Sequence, residues 1–195
     1  MGGRTSIGFK AHIGWASAVV IEDLGDGIAV LAKERIAMRD TFETAAVYHV
    51  GHERKLSLEA AQRLIDDALR ESIARAKPAI AALAKRGPVK GAAILSGSAR
   101  PLPPLESILR SHPLVHTAEG ELYRQAVTRA CEALGIPVIR IPAKGLEACA
   151  ANALGTGAGE LRARLAAAGK ASGKPWAAEQ RECALAAWVA LRGRA

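Results

Sequence analysis

The spacing of apolar positions changes along the chain, and each change predicts a different element. "SIGFKAHIGWASAVVIED" alternates apolar and polar residues and then becomes continuously apolar, and "GIAVLAKERIAM" follows directly after "LGDG". Alternation marks a half-buried strand, so these stretches predict two strands joined by a tight glycine-bearing turn. A third strand is expected near "TAAVYHVG", giving an opening β-meander. From Ser57 to about Ala84 the period lengthens. Leu58, Ala61, Leu64, Ile65, Ala68, Leu69 and Ile73 recur at helical spacing behind Ser57 as N-cap, and Pro78 is expected to end or kink this helix.

"VKGAAILSG" is a short, wholly apolar run bounded by turn residues, the pattern of a strand buried in a parallel sheet. The proline-punctuated "PLPPLESILRSHPLVHT" reads as a connection holding one helical turn. A helix from Glu119 to Leu134 then closes on Gly135, and "IPVIRIP" is another buried strand. Helices over "GLEACAANAL", over "ELRARLAAAG" and from about Ala177 to Leu191 complete the chain. Three early strands followed by alternating helix and strand define an α/β fold with a mixed central sheet flanked by helices. No internal repeat or low-complexity linker divides the pattern, so residues 1–195 are read as a single domain.

Composition narrows the core and the partner. Half of the residues are hydrophobic but only 4% are aromatic, and much of the apolar content is alanine, which suits close-packed helices against a Val/Ile/Leu sheet. The abundance of Ala, Gly and Arg also fits a GC-rich bacterial genome. A formal net charge of +8 favours an anionic partner such as nucleic acid, a nucleotide or a phosphorylated metabolite. Lys and Arg form no dense basic tail, and aromatic platforms for stacking single-stranded bases are scarce. Cys131, Cys149 and Cys183 are odd in number and widely spaced, so neither a disulfide framework nor a zinc knuckle is expected. "MGGRTSIGFK" carries no signal-peptide pattern and no apolar run approaches the roughly 20 residues of a membrane span, so a cytoplasmic protein without membrane partners is expected.

In "YRQAVTRACEALGIPVIRIPAKGLEACAANALG" a helix ends at "GIPV", a strand follows, and a strand-end Pro and a Lys lead into a helix and a glycine loop. "ECALAAWVAL" forms a closing helix, and "IGFKAHIGWASAVVI" opens the chain with a Gly-aromatic pair before the second strand. With the element order above, this pattern resembles the RNase H-like superfamily, and within it the Holliday-junction resolvase branch. The resemblance implies a cleft whose carboxylates hold Mg²⁺ for two-metal phosphodiester cleavage. This chain departs from it at all but one of the acids. Lys10 stands where the first strand's Asp is expected, with His12 two residues on. "AAILSGSAR" offers hydroxyls and Arg100 where a second carboxylate belongs, and Glu182 matches one member of the closing acidic pair while the other position falls at Leu185. An ammonium group is not a magnesium ligand, so the metal-binding carboxylates are largely missing and the altered cleft is expected to attract phosphate or carboxylate instead.

Three groups of residues carry the candidate chemistry. Lys10 and His12 have like parity on a strand and point to one face, which the resemblance directs toward the cleft. Ser98 and Arg100 follow a buried strand, where loops of α/β folds bind anions. In "HTAEGELYR", a helix beginning near Thr117 places His116, Glu119 and Tyr123 on one side, with Leu122, Ala126, Val127 and Cys131 toward the sheet. Gly120 lowers helix stability by roughly 1 kcal/mol relative to Ala, which suggests that something approaches the backbone there.

His116 with Glu119 reads as an acid/base pair, or as half a metal site supplemented by Glu182 or His112, and Glu121 and Arg124 join the ligand-binding set. Glu179 reads as a cap of its own helix. The favoured expectation is a protein that binds or processes nucleic acid or another phosphate-bearing ligand without a cofactor, with Lys10, His12, Ser98 and Arg100 holding the anion and His116, Glu119 and Glu182 moving any proton. One alternative is a Mg²⁺- or Mn²⁺-dependent nuclease built on His116, Glu119, Glu121 and Glu182. Another is a non-catalytic scaffold that uses its Ala-rich helices for contacts in a homo-oligomer.

Overall fold

The computed structural model describes residues 3–97 and 100–192. Its five-stranded sheet comprises β1 (Thr5–His12), β2 (Trp15–Asp23), β3 (Ile28–Ala37), β4 (Val89–Ser96) and β5 (Val138–Pro142), in the spatial order β3-β2-β1-β4-β5. The first three strands are antiparallel neighbours, whereas β4 runs parallel to β1 and β5 parallel to β4. His12 pairs with Trp15 across a two-residue turn, and Gly14 at its second position has φ +81°, a conformation glycine adopts without a Cβ penalty.

All three antiparallel strands therefore lie before residue 38, and the strand expected at "TAAVYHVG" is instead helical. Those residues end α1 (Phe42–Ala45) and form most of α2 (Val47–Glu53). A capping box at Thr41 and Thr44 opens α1, and Ala45, Ala46, Val47 and His49 are buried. A short apolar run does not by itself distinguish strand from helix.

The helix α3 (Leu58–Ala84) starts at the expected cap, with Ser57 Oγ accepting from the Ala60 N–H at 3.2 Å, and it runs through Pro78 without ending. Pro78 and Ala74 both lie on the exposed face, so water can take the carbonyl that proline leaves without a donor. After β4 come α4 (Leu105–Leu109) and α5 (His112–Glu132). Thus α5 begins well before Thr117: Pro113 occupies its first turn, where a missing N–H costs nothing. The chain closes with α6 (Leu146–Leu154), α7 (Ala158–Ser172) and α8 (Ala178–Arg192). No helix among the described residues is long and apolar enough to cross a membrane.

Alternation along β1 divides the helices into two layers. Ile7 and Phe9 join a core built with Ile65, Ala76 and Ile80 of α3 and Leu122, Tyr123 and Ala126 of α5. Val19, Ile21, Ala93 and Leu95 face the other way, onto a core that includes Leu161 and Leu165 of α7 and Trp188 of α8. On that side β1 presents Ser6, Gly8 and Lys10. Ser6 Oγ donates to the Ala187 carbonyl at 2.6 Å, and a Cβ at Gly8 would stand 1.8 Å from the Cys183 carbonyl oxygen. Glycine is thus what lets α8 lie directly on the strand.

Candidate functional site

Because β1, β4 and β5 are parallel, His12, Ser96 and Pro142 end on one edge of the sheet. The sequence-predicted site residues fall into three groups rather than one, two of them at this edge.

The first group joins β1 to the start of α8. Lys10 Nζ donates to Glu182 Oε2 at 2.7 Å, and His12 Nε2 donates to Glu179. The hydrogen bond to Glu182 raises the Lys10 pKa above its ordinary value, against partial desolvation, so the amine stays cationic. Trp15 stacks on His12 with ring centroids 4.1 Å apart, and the Arg35 guanidinium lies 4.3 Å from the Trp15 ring centroid. Beside this group opens a cleft of about 500 Å³ lined in part by Leu146, Arg162, Leu165, Arg181 and Glu182. Glu182 does have a carboxylate neighbour, but it is Glu179, one turn earlier, and not at buried Leu185. Glu179 serves His12 rather than capping its own helix; Gln180 instead accepts from the Ala177 N–H at 3.0 Å.

These residues do not fit a two-metal magnesium site. Such a site needs several carboxylates free to coordinate hard cations. Here a lysine occupies the first strand, both acids of α8 already hold partners from β1, and β4 ends on a serine hydroxyl.

The second group lines a hollow of about 510 Å³ at the ends of β4 and β5, which includes Ser96, Arg100, Thr117, Glu121, Arg124 and Arg140. Glu121 accepts from Arg124 Nε at 2.9 Å and also from Arg140. Burial pushes the Glu121 carboxyl up, but the bonds from Arg140 and Arg124 outweigh it and hold the pKa below its usual value. Arg124 is also what approaches Gly120: a Cβ there would stand 3.2 Å from Arg124 Nη1. Ser98 lies outside the described residues. Sequence reasoning missed Arg140, whose place on β5 across from Ile94 brings it to this hollow.

The third group lies on the α3/α5 side of the sheet, away from Lys10. Glu119 is fully buried and accepts from His49 Nδ1 at 2.8 Å, from the His49 N–H at 3.2 Å and from the Tyr48 N–H at 3.3 Å. Those N–H groups belong to the first turn of α2, where Ala46 supplies no side-chain cap, so a carboxylate from α5 satisfies them. Nearby, Tyr123 donates to the Ala45 carbonyl at 2.7 Å. Burial raises the Glu119 pKa despite its three hydrogen bonds. His116 does not pair with Glu119, contrary to the sequence-based expectation. Its Nε2 instead lies 2.9 Å from His112 Nε2, and its ring centroid is 4.5 Å from that of His49. Lost hydration, with the neighbouring His49 and His112, lowers the His116 pKa. The imidazole partner of Glu119 is therefore His49, which the sequence reading had placed in a strand.

Accordingly, His116, Glu119, Glu121 and Glu182 do not assemble into one metal set. Glu182 is on the α8 side, Glu121 is held by two guanidinium groups, and Glu119 is sealed beneath α2. Nor does Glu119 reach solvent to exchange a proton with a ligand.

Among solved structures, the chain is similar to Thermus thermophilus RuvC in complex with a Holliday junction substrate, with a TM-score of 0.56 and 12% identity, covering 95% of this chain and 91% of that one. It is similar also to a structure described simply as that of Thermus thermophilus RuvC, with a TM-score of 0.55, 11% identity and the same coverage. These likenesses show that the chain has the RNase H-like fold. No protein-family model and no curated protein matches the chain.

Proposed function

We propose that the chain binds nucleic acid along the carboxyl edge of its resolvase-like sheet and does not cleave it by a two-metal mechanism. The observation that carries this reading is the Lys10–Glu182 pair, which seats a cation where the fold family carries a metal-binding acid. The hollow beside β4 and β5 supports it. Arg124 and Arg140 set two positive charges against the single carboxylate of Glu121, leaving an excess of one for phosphate, and Arg100 lines the same hollow. Arginine forks suit phosphate oxygens, and the formal charge of +8 adds a long-range attraction. The first structural neighbour holds a Holliday junction substrate, so branched DNA is the first probe.

In this reading Arg124 and Arg140 bind phosphate while sharing Glu121, and Lys10 and His12 present a basic rim on the α8 side. Glu182 and Glu179 position those two side chains. The test is fluorescence anisotropy with labelled four-way junction, duplex and single-stranded DNA over a salt series. If three phosphate contacts form, raising salt from about 50 to about 200 mM weakens binding about 40-fold. Replacing Arg124 and Arg140 with Gln should flatten that salt slope by about two contacts' worth. Absence of binding at low salt, or binding unchanged in the double variant, overturns the proposal. Strand cleavage on adding Mg²⁺ overturns its second half.

A further inference from the structure

We propose that His49, His112 and His116 form a binding site for one divalent first-row transition ion of the Zn²⁺ class, separate from the nucleic-acid edge and not dependent on it. The chain has five histidines, and four of them, His49, His52, His112 and His116, meet where α2 crosses the start of α5. One ring nitrogen from each of His49, His112 and His116 lies within 4.8 Å of the others. His112 and His116 stand one turn apart on α5, and His49 reaches them from the facing helix.

The supporting contacts are those of a metal site. Glu119 holds His49 through Nδ1 at 2.8 Å, which fixes the tautomer and leaves Nε2 with a free lone pair. A carboxylate behind a ligating imidazole is the usual orienting arrangement. Capping α2 explains why Glu119 is buried, but not why two exposed imidazoles turn their Nε2 atoms toward each other at 2.9 Å. An ion in place of the shared proton satisfies both nitrogens at once. Tetrahedral coordination with Zn–N bonds of about 2.0 Å needs nitrogens about 3.3 Å apart. Reaching that from 4.8 Å takes a shift of about 1.5 Å, within reach of rotations by the exposed His112 and His116 side chains.

Three neutral imidazoles with no carboxylate ligand select Zn²⁺, Co²⁺, Ni²⁺ or Cu²⁺ over Mg²⁺ and Ca²⁺. Exposure of His112 and His116 leaves the fourth position open to water or to an anionic ligand.

The test is Co²⁺ titration of the untagged chain, read by visible absorption, with Zn²⁺ competition and equilibrium dialysis. One ion per chain is expected, displaced by Zn²⁺ and not by excess Mg²⁺. His112→Gln and His116→Gln change exposed side chains and should keep the fold while weakening binding at least about tenfold. His52→Gln is the internal control. Its Nδ1 donates to the Leu109 carbonyl at 2.7 Å, it lies outside the ligand set, and it should bind as wild type does. Absence of a cobalt band, displacement by Mg²⁺, or loss of binding in His52→Gln but not in His116→Gln overturns the assignment.

Discussion

Replacing Gly8 with Ala tests how tightly the sheet and α8 are joined, and hence what positions the Lys10–Glu182 pair. The new methyl carbon would stand 1.8 Å from the Cys183 carbonyl oxygen, 2.7 Å from its carbon and 3.0 Å from the Ala187 nitrogen. An ordinary carbon–oxygen contact is about 3.3 Å, so the two backbones must separate by about 1.5 Å. No side-chain rotation relieves this, because both neighbours are main chain. A gap of about 1 Å already forfeits up to half the dispersion energy of the atoms lining it. The helix buries every residue from Cys183 to Leu191.

Overpacking in cores costs about 1–3 kcal/mol, and a clash of main chain against main chain should exceed that, at about 4 kcal/mol. With a urea slope of about 2 kcal/mol per molar, the unfolding midpoint should fall by about 2 M, and the Lys10–Glu182 contact should open with it. Gly27→Ala is the control: nothing lies within 4 Å of its Cβ, so a change within about 0.5 kcal/mol is expected. Both are read by circular dichroism during urea titration. A midpoint loss in Gly8→Ala no larger than in the control would refute the reasoning.

Glu119→Gln should destabilise the chain by about 2–3 kcal/mol, because an amide cannot serve all three donors from His49 and Tyr48, and thermal unfolding checks it. Asp23 takes both arms of Arg192 at 2.8 Å, which ties the end of α8 to β2. The hydrogen bond from Arg192 holds the Asp23 pKa below its ordinary value against burial, so the contribution is complete above about pH 4 and is lost as pH falls through the lowered folded value. Asp23→Asn should therefore cost about 1 kcal/mol at pH 7 and progressively less below pH 4 in urea titrations, Arg192 being partly exposed. Lys10→Asp places a third acid beside Glu179 and Glu182, and Mn²⁺ affinity measured by electron paramagnetic resonance should rise at least about tenfold over wild type. Equal affinity would mean that Lys10 is not what spoils that site for metal.

Much of the architecture could be read along the chain because it depends on local pattern. The apolar runs of β4 and β5 and the helical spacing behind Ser57 are short-range signals, and each element formed where the pattern placed it. Two errors came from signals that fit more than one element. Pro113 marks the start of a helix as readily as a break, and "AAVYHV" is too short for its period to decide between strand and helix. The second error hid the partner of Glu119, although His49 and His52 at three-residue spacing would have marked one helix face. Pairs such as Glu119–His49, 70 residues apart, or Lys10–Glu182, 172 apart, leave no periodic trace. The latter came into view only through likeness to a known fold, which directs residue 10 to a meeting with the closing helix.

The seam between β1 and α8 works like two matched racks. Ser6 meets Ala187 and Gly8 meets Cys183, so two steps of strand, about 6.6 Å, are set against one helical turn of four residues, about 6.0 Å. Sliding by less than a whole tooth would drive a carbonyl into the strand, so the next position up is held in place whatever side chain it bears. A frame indexed in this way lets charge be exchanged at residue 10 without re-cutting the scaffold, so an acid or a base can occupy the same seat.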